Sequence, residues 1–189
     1  RFDEFLLQST DSIFAALPRG AAEENKGPQY QEQVQVWDEQ LPVLRQSIRE
    51  IMQQIPGSAG WSAMLEFPIP RMGRRIDCVI LGSCIFVIEF KRHDEPTSAD
   101  RRQVEEYCLD LRDFHEASAD REIIPILVTG ARGCPQFAMC VGPVKEGPIS
   151  IDGSQLARTI IDLEEAFGEG PMIDGEEWDN APYRPVPTI

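Results

Sequence analysis

The sequence predicts an α/β fold in which a central mixed β-sheet of four to five strands is flanked by helices. Apolar residues recur every three or four positions over 29–55, which is the pattern of an amphipathic helix. Short apolar runs at 75–81, 84–91 and 123–129 are typical of strands that a sheet buries. The chain has 189 residues, enough for one domain with a substantial core.

The predicted elements follow in an order that is neither simple βα alternation nor all-β. They are helices over 2–17 and 29–55, the latter containing Pro42, strands over 62–68, 75–81 and 84–91, a helix over 99–117, a strand over 123–129, one or two edge strands over 137–144 and 149–151, and a helix over 155–167 with Ser154 as its N-cap. The strand over 84–91 is predicted to be central, because its apolar run is almost continuous.

The last part of the chain, 168–189, is rich in glycine, proline and acidic residues. This composition is typical of a linker rather than of a core element. We therefore expect a folded domain over 1–167, followed by an acidic Gly/Pro-rich linker. Because the chain begins at Arg1 rather than at a methionine, we expect it to be a piece of a longer protein.

The composition is that of a globular protein, with 42% hydrophobic and 26% charged residues and a formal net charge of -14. Such a charge argues against non-specific nucleic-acid binding by the chain as a whole, since phosphates would be repelled. No apolar stretch reaches membrane-spanning length. The five cysteines show no zinc-type spacing and are predicted to be reduced core residues of a cytoplasmic protein.

Two acidic residues interrupt the apolar runs of consecutive predicted strands. Asp77 begins one run and Glu89 ends the next, with Lys91 two residues further on. In a strand, Glu89 and Lys91 point to one side and Phe90 to the other. If Asp77 faces that side too, two carboxylates repel each other unless a hard cation such as Mg²⁺ binds them, with the Phe90 carbonyl as a further ligand. The alternative is a simple ion pair between Glu89 and Lys91 at a sheet edge.

The following predicted helix places Gln103 and Tyr107 one turn apart, so they share a face. We expect this face to differ from the apolar face formed by Val104, Cys108 and Leu111. The alternative is a solvated helix face with one amphipathic ring.

The ordered set Asp77, Glu89-x-Lys91 and Gln103-x-x-x-Tyr107 resembles the PD-(D/E)xK nuclease superfamily, with Ile76 in place of the proline. The stretches RRIDCVILGSCIFVIEFKR, QVEEYCLDLRDFHEAS and IIPILVTG are further similar to the N-terminal nuclease-like domain of bacterial Schlafen group 3-like DNA/RNA helicase-domain proteins. The resemblance runs from about Gln31 to Ile189 and includes QVQVWDEQLPVLRQSI and YRPVPTI. It implies a restriction-endonuclease-like core and a helicase domain after residue 189.

The resemblance also implies roles for individual residues. Asp77, Glu89 and the Phe90 carbonyl would bind Mg²⁺ or Mn²⁺, which polarises a phosphate and activates water. Lys91 would orient that water or stabilise charge, and Gln103 and Tyr107 would support the site. An acid from the first long helix often completes such a site. Glu32 is favoured, with Glu39 and Glu66 as alternatives.

The function implied is metal-dependent hydrolysis of DNA, with RNA as an open possibility, in defence or DNA processing. The alternatives are a catalytically inactive module of the same fold that binds nucleic acid or docks the helicase, and a pure interaction domain. Basic residues cluster around the motif despite the acidic total: Arg71, Arg74, Arg75, Lys91, Arg92, Arg101 and Arg102. Arginine suits phosphate binding, so we expect weak, salt-sensitive affinity for nucleic acid.

Overall fold

The computed structural model describes residues 1–16, 28–130 and 147–184, and within 28–36 it describes the backbone alone. The predicted edge strand over 137–144, together with Cys134 and Cys140, lies outside the described residues. The helices and strands are α1 (Phe2–Leu7), α2 (Thr10–Ala16), α3 (Pro28–Gln54), β1 (Ser62–Ile69), β2 (Arg74–Leu81), β3 (Ile85–Phe90), α4 (Ser98–Phe114), β4 (Ile123–Thr129), β5 (Ile149–Asp152), α5 (Leu156–Phe167) and α6 (Gly175–Asp179).

The five strands form one mixed sheet in the order β1-β2-β3-β4-β5. β2 is antiparallel to both of its neighbours, β1 and β3, whereas β3, β4 and β5 run parallel to one another. This arrangement confirms the predicted mixed sheet flanked by helices. β3 lies in the middle, and all six of its residues are buried, as its apolar run predicts.

Each face of the sheet carries its own apolar core. The first core lies between the sheet and the helices α1, α3 and α5, and it includes Leu44, Ile48, Cys78, Phe86, Ile88 and Ile160. The second core lies on the face covered by α4, and it includes Val87, Val104, Cys108, Leu111, Leu127 and Trp178. Burial of these side chains is the main stabilising term of the fold.

The helices follow the predicted periodicity but differ from the prediction in the N-terminal segment and at the start of α5. The predicted helix over 2–17 is two short helices, α1 and α2. Pro42 lies within the single helix α3. Ser154 is not the N-cap of α5, because a 3₁₀ turn over Gly153–Gln155 precedes the helix and Gln155 occupies the N-cap position. The N-cap of that turn is Asp152, whose carboxylate accepts from the Ser154 backbone N–H at 2.7 Å. Asp152 is itself a preferred capping residue, which explains the shift.

The segment 168–184 differs from the linker expected from its composition, because it packs on the second core. Trp178 is 1% exposed and Ile173 5% exposed. The Trp178 indole N–H donates to the Ser118 hydroxyl at 2.9 Å, and the Ile173 N–H donates to the Gly82 carbonyl at 2.8 Å. A Cβ on Gly175 would lie 2.6 Å from the Ser62 Cβ, so the start of α6 needs glycine against β1. The folded unit therefore extends beyond residue 167.

Three further findings concern burial and composition. Cys78, Cys84 and Cys108 are free and buried, as predicted. Among the residues described, no helix is both long and apolar enough to cross a membrane. His115 is fully buried at the C-terminal end of α4.

Trp178→Ala is expected to lower the free energy of unfolding by about 3–5 kcal/mol, since it removes a fully buried indole. Met172→Ala is the matched control from the same segment, because Met172 is 48% exposed, and it should change stability by less than about 1 kcal/mol. Urea unfolding of both variants measures this. If Trp178→Ala unfolds at the wild-type midpoint, the segment is not part of the folded unit.

Candidate active site

The candidate site lies where β2 and β3 stop pairing. Their last paired residues on this side are Cys78 and Ile88, so Asp77 and Glu89 are the next residues along each strand. At this point the Asp77 carboxylate accepts a hydrogen bond from the Phe90 backbone N–H at 2.8 Å. A side chain thus replaces a strand carbonyl as the partner of that amide, which brings the two acids together.

The alternation of side chains along β1 is interrupted beside the site. Leu65 packs against the first core, whereas Phe67, two residues on, belongs to the second core. Regular alternation would keep both on one face. Glu66, between them, has φ 53 and is the only described non-glycine residue with positive φ. A residue without the freedom of glycine adopts this left-handed backbone at some cost, and such strain concentrates at functional sites.

The alternation of side chains along β2 is interrupted at the neighbouring position. Cys78 belongs to the first core and Ile76 to the second. The residue between them is Asp77, which lies opposite Glu66 in the register of the two strands. Both strands therefore rotate at this pair, and the rotation aims the Asp77 carboxylate at the Phe90 amide.

Glu66 is held by α3. Its carboxylate accepts from the Trp37 indole N–H at 2.8 Å and lies 4.0 Å from the Arg75 guanidinium. The Trp37 ring in turn meets the Phe90 ring edge-on, with centroids 6.3 Å apart. Trp37 belongs to the apolar repeat over 29–55 and is buried, but the sequence carries no signal for its bond to Glu66. One oxygen of Glu66 is thus bound by Trp37, while the Glu66 charge still raises the pKa of both Asp77 and Glu89.

Glu89, Lys91 and Gln103 form a hydrogen-bonded network on the α4 face of the sheet. The Lys91 ammonium donates to Glu89 Oε1 at 3.0 Å and to Gln103 Oε1 at 3.1 Å. The Gln103 amide donates to Glu89 Oε1 at 2.7 Å and to the Tyr107 hydroxyl at 2.9 Å. The structure therefore brings together these four sequence-predicted residues. Lys91 lies just past β3 and continues the ladder, since its N–H donates to the Val128 carbonyl at 2.8 Å.

Tyr107 corrects the prediction of a separate helix face. It is 1% exposed and belongs to the second core together with Val104, Cys108 and Leu111. Only its hydroxyl reaches the site, through Gln103. Burial raises the pKa of Tyr107 to about 12, and the charges of Glu89 and Asp77 add to the effect. The phenol therefore stays protonated at neutral pH and positions Gln103.

The two carboxylates lie in a poorly solvated place. Desolvation raises the pKa of Asp77 well above its ordinary value, and the nearby Glu89 charge raises it further. Desolvation also raises the pKa of Glu89, against the opposing effect of Lys91. Glu89 is 3% exposed, and its Oε2 atom is buried without a hydrogen-bond partner among the described residues. A buried carboxylate oxygen without a partner is costly.

This donor set fits a hard divalent cation, which favours carboxylate and carbonyl oxygens. Asp77 and Glu89 supply carboxylates. Phe90, which follows Glu89 and donates its N–H to Asp77, also has a backbone carbonyl. Within the part of the chain that the structure describes, no group of three or more His, Cys, Asp or Glu side chains is placed to hold a metal. The residues present would thus supply two acidic ligands, with backbone and water completing the shell.

The structure does not place the described side chains of the additional candidate acids, Glu39 and Glu66, in the hydrogen-bonded network around Glu89. Glu39 forms a surface ion pair with Arg92, at 3.3 Å and 62% exposed, so it does not face the network. Glu66 is engaged by Trp37. Glu32 lies on α3, but its side chain is outside the described residues.

Asp100, on the first turn of α4, is a site residue that the sequence analysis did not identify. Its Oδ1 lies 3.7 Å from the Lys91 ammonium, and its Oδ2 lies 2.7 Å from His93 Nε2. Burial alone would raise the pKa of Asp100, but hydrogen bonds from Thr97 and His93 and the charge of Lys91 together lower it to about 2. In the sequence, Asp100 is recognisable only as part of a Thr-x-x-Asp capping box. That motif does not indicate its contacts with Lys91 and His93.

The basic residues around the motif differ in the contacts that they make among the described residues. Arg74 pairs with Glu106 at 3.4 Å, and Arg71 stacks over the Phe114 ring at 3.5 Å. Arg101 and Arg102, at the start of α4, are exposed. These two arginines are therefore the most available cations next to the network.

Comparisons of the chain with family models, with curated proteins and with solved structures found no match.

Asp77→Asn is expected to raise thermal stability in EDTA at pH 8 by roughly 1 kcal/mol, or about 2–4 °C. The amide oxygen can still accept from the Phe90 N–H, while a desolvated charge beside Glu89 is removed. Because folding raises the pKa of Asp77, its protonated form favours the folded state, and this contribution is lost as pH rises through the raised value. The advantage of the variant should therefore shrink toward pH 4.

Thermal unfolding at pH 8 and pH 4 measures the effect. Asp120→Asn is the control, since Asp120 is an exposed acid in a turn and should change little at either pH. An Asp77→Asn variant that melts below wild type at pH 8 would contradict the assignment of a costly charge to this position.

Proposed function

We propose that the chain is a metal-dependent nuclease domain that hydrolyses DNA phosphodiester bonds. The observation that carries the proposal is Glu89. Its Oε1 atom accepts from Lys91 and Gln103, while its Oε2 atom is buried without a hydrogen-bond partner among the described residues. A carboxylate held this way, beside a second desolvated acid, is prepared for a cation rather than for an ion pair alone.

A bound Mg²⁺ or Mn²⁺ would supply Lewis-acid polarisation of the phosphate and a more acidic water. The chain's own residues would do the rest. Asp77 and Glu89 hold the cation, and Gln103 fixes the orientation of Glu89. Lys91, anchored at two points, presents an ammonium where negative charge develops on the phosphate during attack. Tyr107 restricts Gln103 without contacting substrate.

The site supports membership of the PD-(D/E)xK superfamily, and the sequence resemblance favours the nuclease-like domain that precedes a Schlafen group 3-like helicase. We further propose a cytoplasmic protein in which that helicase domain is covalently linked and supplies most of the affinity for DNA. The buried, free thiols of Cys78, Cys84 and Cys108 fit a reducing compartment.

A catalytically inactive nucleic-acid-binding or docking module is the second candidate. The observation in its favour is the 3.0 Å ion pair between Glu89 and Lys91, which satisfies one carboxylate oxygen without any metal. This module would need neither Asp77 nor a divalent ion in order to bind DNA.

Cleavage of linear and circular DNA in Mg²⁺ or Mn²⁺ tests the first candidate. We expect EDTA to abolish cleavage, and Asp77→Ala and Lys91→Ala each to lower the rate by about 10²–10³-fold, because the first removes a ligand of the cation and the second removes the ammonium that stabilises charge on the phosphate. Single-stranded DNA and RNA substrates define the preferred nucleic acid.

Arg158→Ala is the matched control for lost positive charge, since Arg158 lies on α5 and pairs with Asp162, on the face of the sheet opposite α4. It should cleave at the wild-type rate. DNA binding without cleavage in the wild type, under either metal, would favour the inactive module instead.

Arg101→Ala/Arg102→Ala is expected to weaken duplex DNA binding for every sequence alike. If both arginines neutralise phosphates, the slope of log K against log salt should become shallower by about 1.8, since each contact contributes about 0.9. Fluorescence anisotropy in EDTA at several salt concentrations measures this slope. An unchanged slope would place the DNA away from the start of α4, and Arg158→Ala again serves as the control.

A further inference from the structure

Asp100 connects two cationic or potentially cationic side chains beside the site. One of its oxygens lies 3.7 Å from the Lys91 ammonium, and the other lies 2.7 Å from His93 Nε2. A single carboxylate group therefore separates His93 from Lys91. Because Asp100 is 9% exposed and also accepts from the Thr97 N–H and hydroxyl, at 2.8 and 2.6 Å, its own position is fixed.

His93 is held at both its backbone and its ring. Its carbonyl accepts from the Gly130 N–H at 3.2 Å, just after β4. Its side chain nevertheless remains 46% exposed. The helix cap does not need this histidine, because Thr97 and Asp100 already complete the capping box between themselves.

The chemistry of the imidazole determines what it can bind. Asp100 is an acceptor, so the ring nitrogen facing it, Nε2, carries a hydrogen. Nδ1 has no hydrogen-bond partner among the described residues. When both nitrogens are protonated, His93 keeps Asp100 as the partner of Nε2 and offers Nδ1–H, with a positive charge, to an anion in solvent.

We propose that His93 binds a phosphate of the nucleic-acid backbone next to the one held at Lys91, and that Asp100 is the positioning residue that orients both side chains. This inference rests on the proposed function, because it takes the nucleic acid to lie across Lys91. The ligand is a phosphodiester of a nucleic-acid strand, recognised by charge and hydrogen bonding without base contact.

The chain offers a direct readout, since it contains two histidines. His93 is half exposed, whereas His115 is 1% exposed and serves as an internal reference. Proton–carbon correlation spectra of the ¹³C-histidine-labelled protein are recorded in EDTA near pH 6. A short single-stranded DNA, its duplex, inorganic phosphate and sodium chloride are added separately, and His93→Ala assigns the signals.

DNA is expected to shift the His93 signal and leave His115 in place, while sodium chloride at matched ionic strength has no such effect. Asp100→Asn should reduce the His93 shift at saturating DNA. His93→Ala should weaken DNA binding by about tenfold, as for loss of one charge-assisted hydrogen bond, and His93→Arg should restore most of the affinity. A purely structural role for His93 predicts no recovery with arginine.

An unmoved His93 signal at DNA concentrations that saturate binding would overturn the proposal, and so would a response to inorganic phosphate alone. The outcome is separate from that of the nuclease proposal. Cleavage with His93 unmoved removes this inference and keeps the nuclease. A shifted His93 without cleavage in Mg²⁺ or Mn²⁺ keeps the phosphate contact and removes the nuclease. Absence of DNA binding in every form removes both.

Discussion

The hydrogen bond from the Phe90 amide to the Asp77 carboxylate is the contact on which the site depends. β2 and β3 separate after Cys78 and Ile88, and a buried amide at that point needs an acceptor. Asp77 provides one at 2.8 Å. The consequence is electrostatic, because the same contact places a desolvated carboxylate beside Glu89, and each charge then makes the other more costly. The Lys91 charge opposes this effect at both carboxylates, more strongly at Glu89, which it also hydrogen-bonds.

Helix α4 supplies the side chains that position Lys91 and Glu89. Its first two turns supply Asp100 and Gln103, both of which contact the Lys91 ammonium, and Gln103 also fixes Glu89. Lys91 therefore has little rotational freedom. Ordering a lysine side chain costs considerable conformational entropy, and these contacts offset that cost. Such preorganisation matters for charge stabilisation in a reaction, since a positioned ammonium does not have to reorient as charge develops.

Much of this could be predicted from two periodicities. The strand period of two places Glu89 and Lys91 on one face, and the helix period places Gln103 opposite them. The same reasoning failed for Tyr107, because a residue four positions after Gln103 is also three after Val104, and a helix covered by a broad apolar core buries both. The rotation at Glu66 could not be predicted, since a glutamate at positive φ has no sequence signature.

The segment 168–184 explains how that rotation is tolerated. Phe67 follows Glu66 directly and, after the change of face, its ring centroid lies 4.8 Å from that of Trp178. The His115 ring packs against Trp178 in a tilted arrangement, with centroids 4.4 Å apart. A left-handed non-glycine residue costs about 1–2 kcal/mol, and burying a phenylalanine contributes about 1.5–3 kcal/mol. Packing of Phe67 under Trp178 is therefore large enough to offset the strain at Glu66. Residues whose composition suggested a linker thus help to stabilise the strand rotation that aims Asp77 at the site.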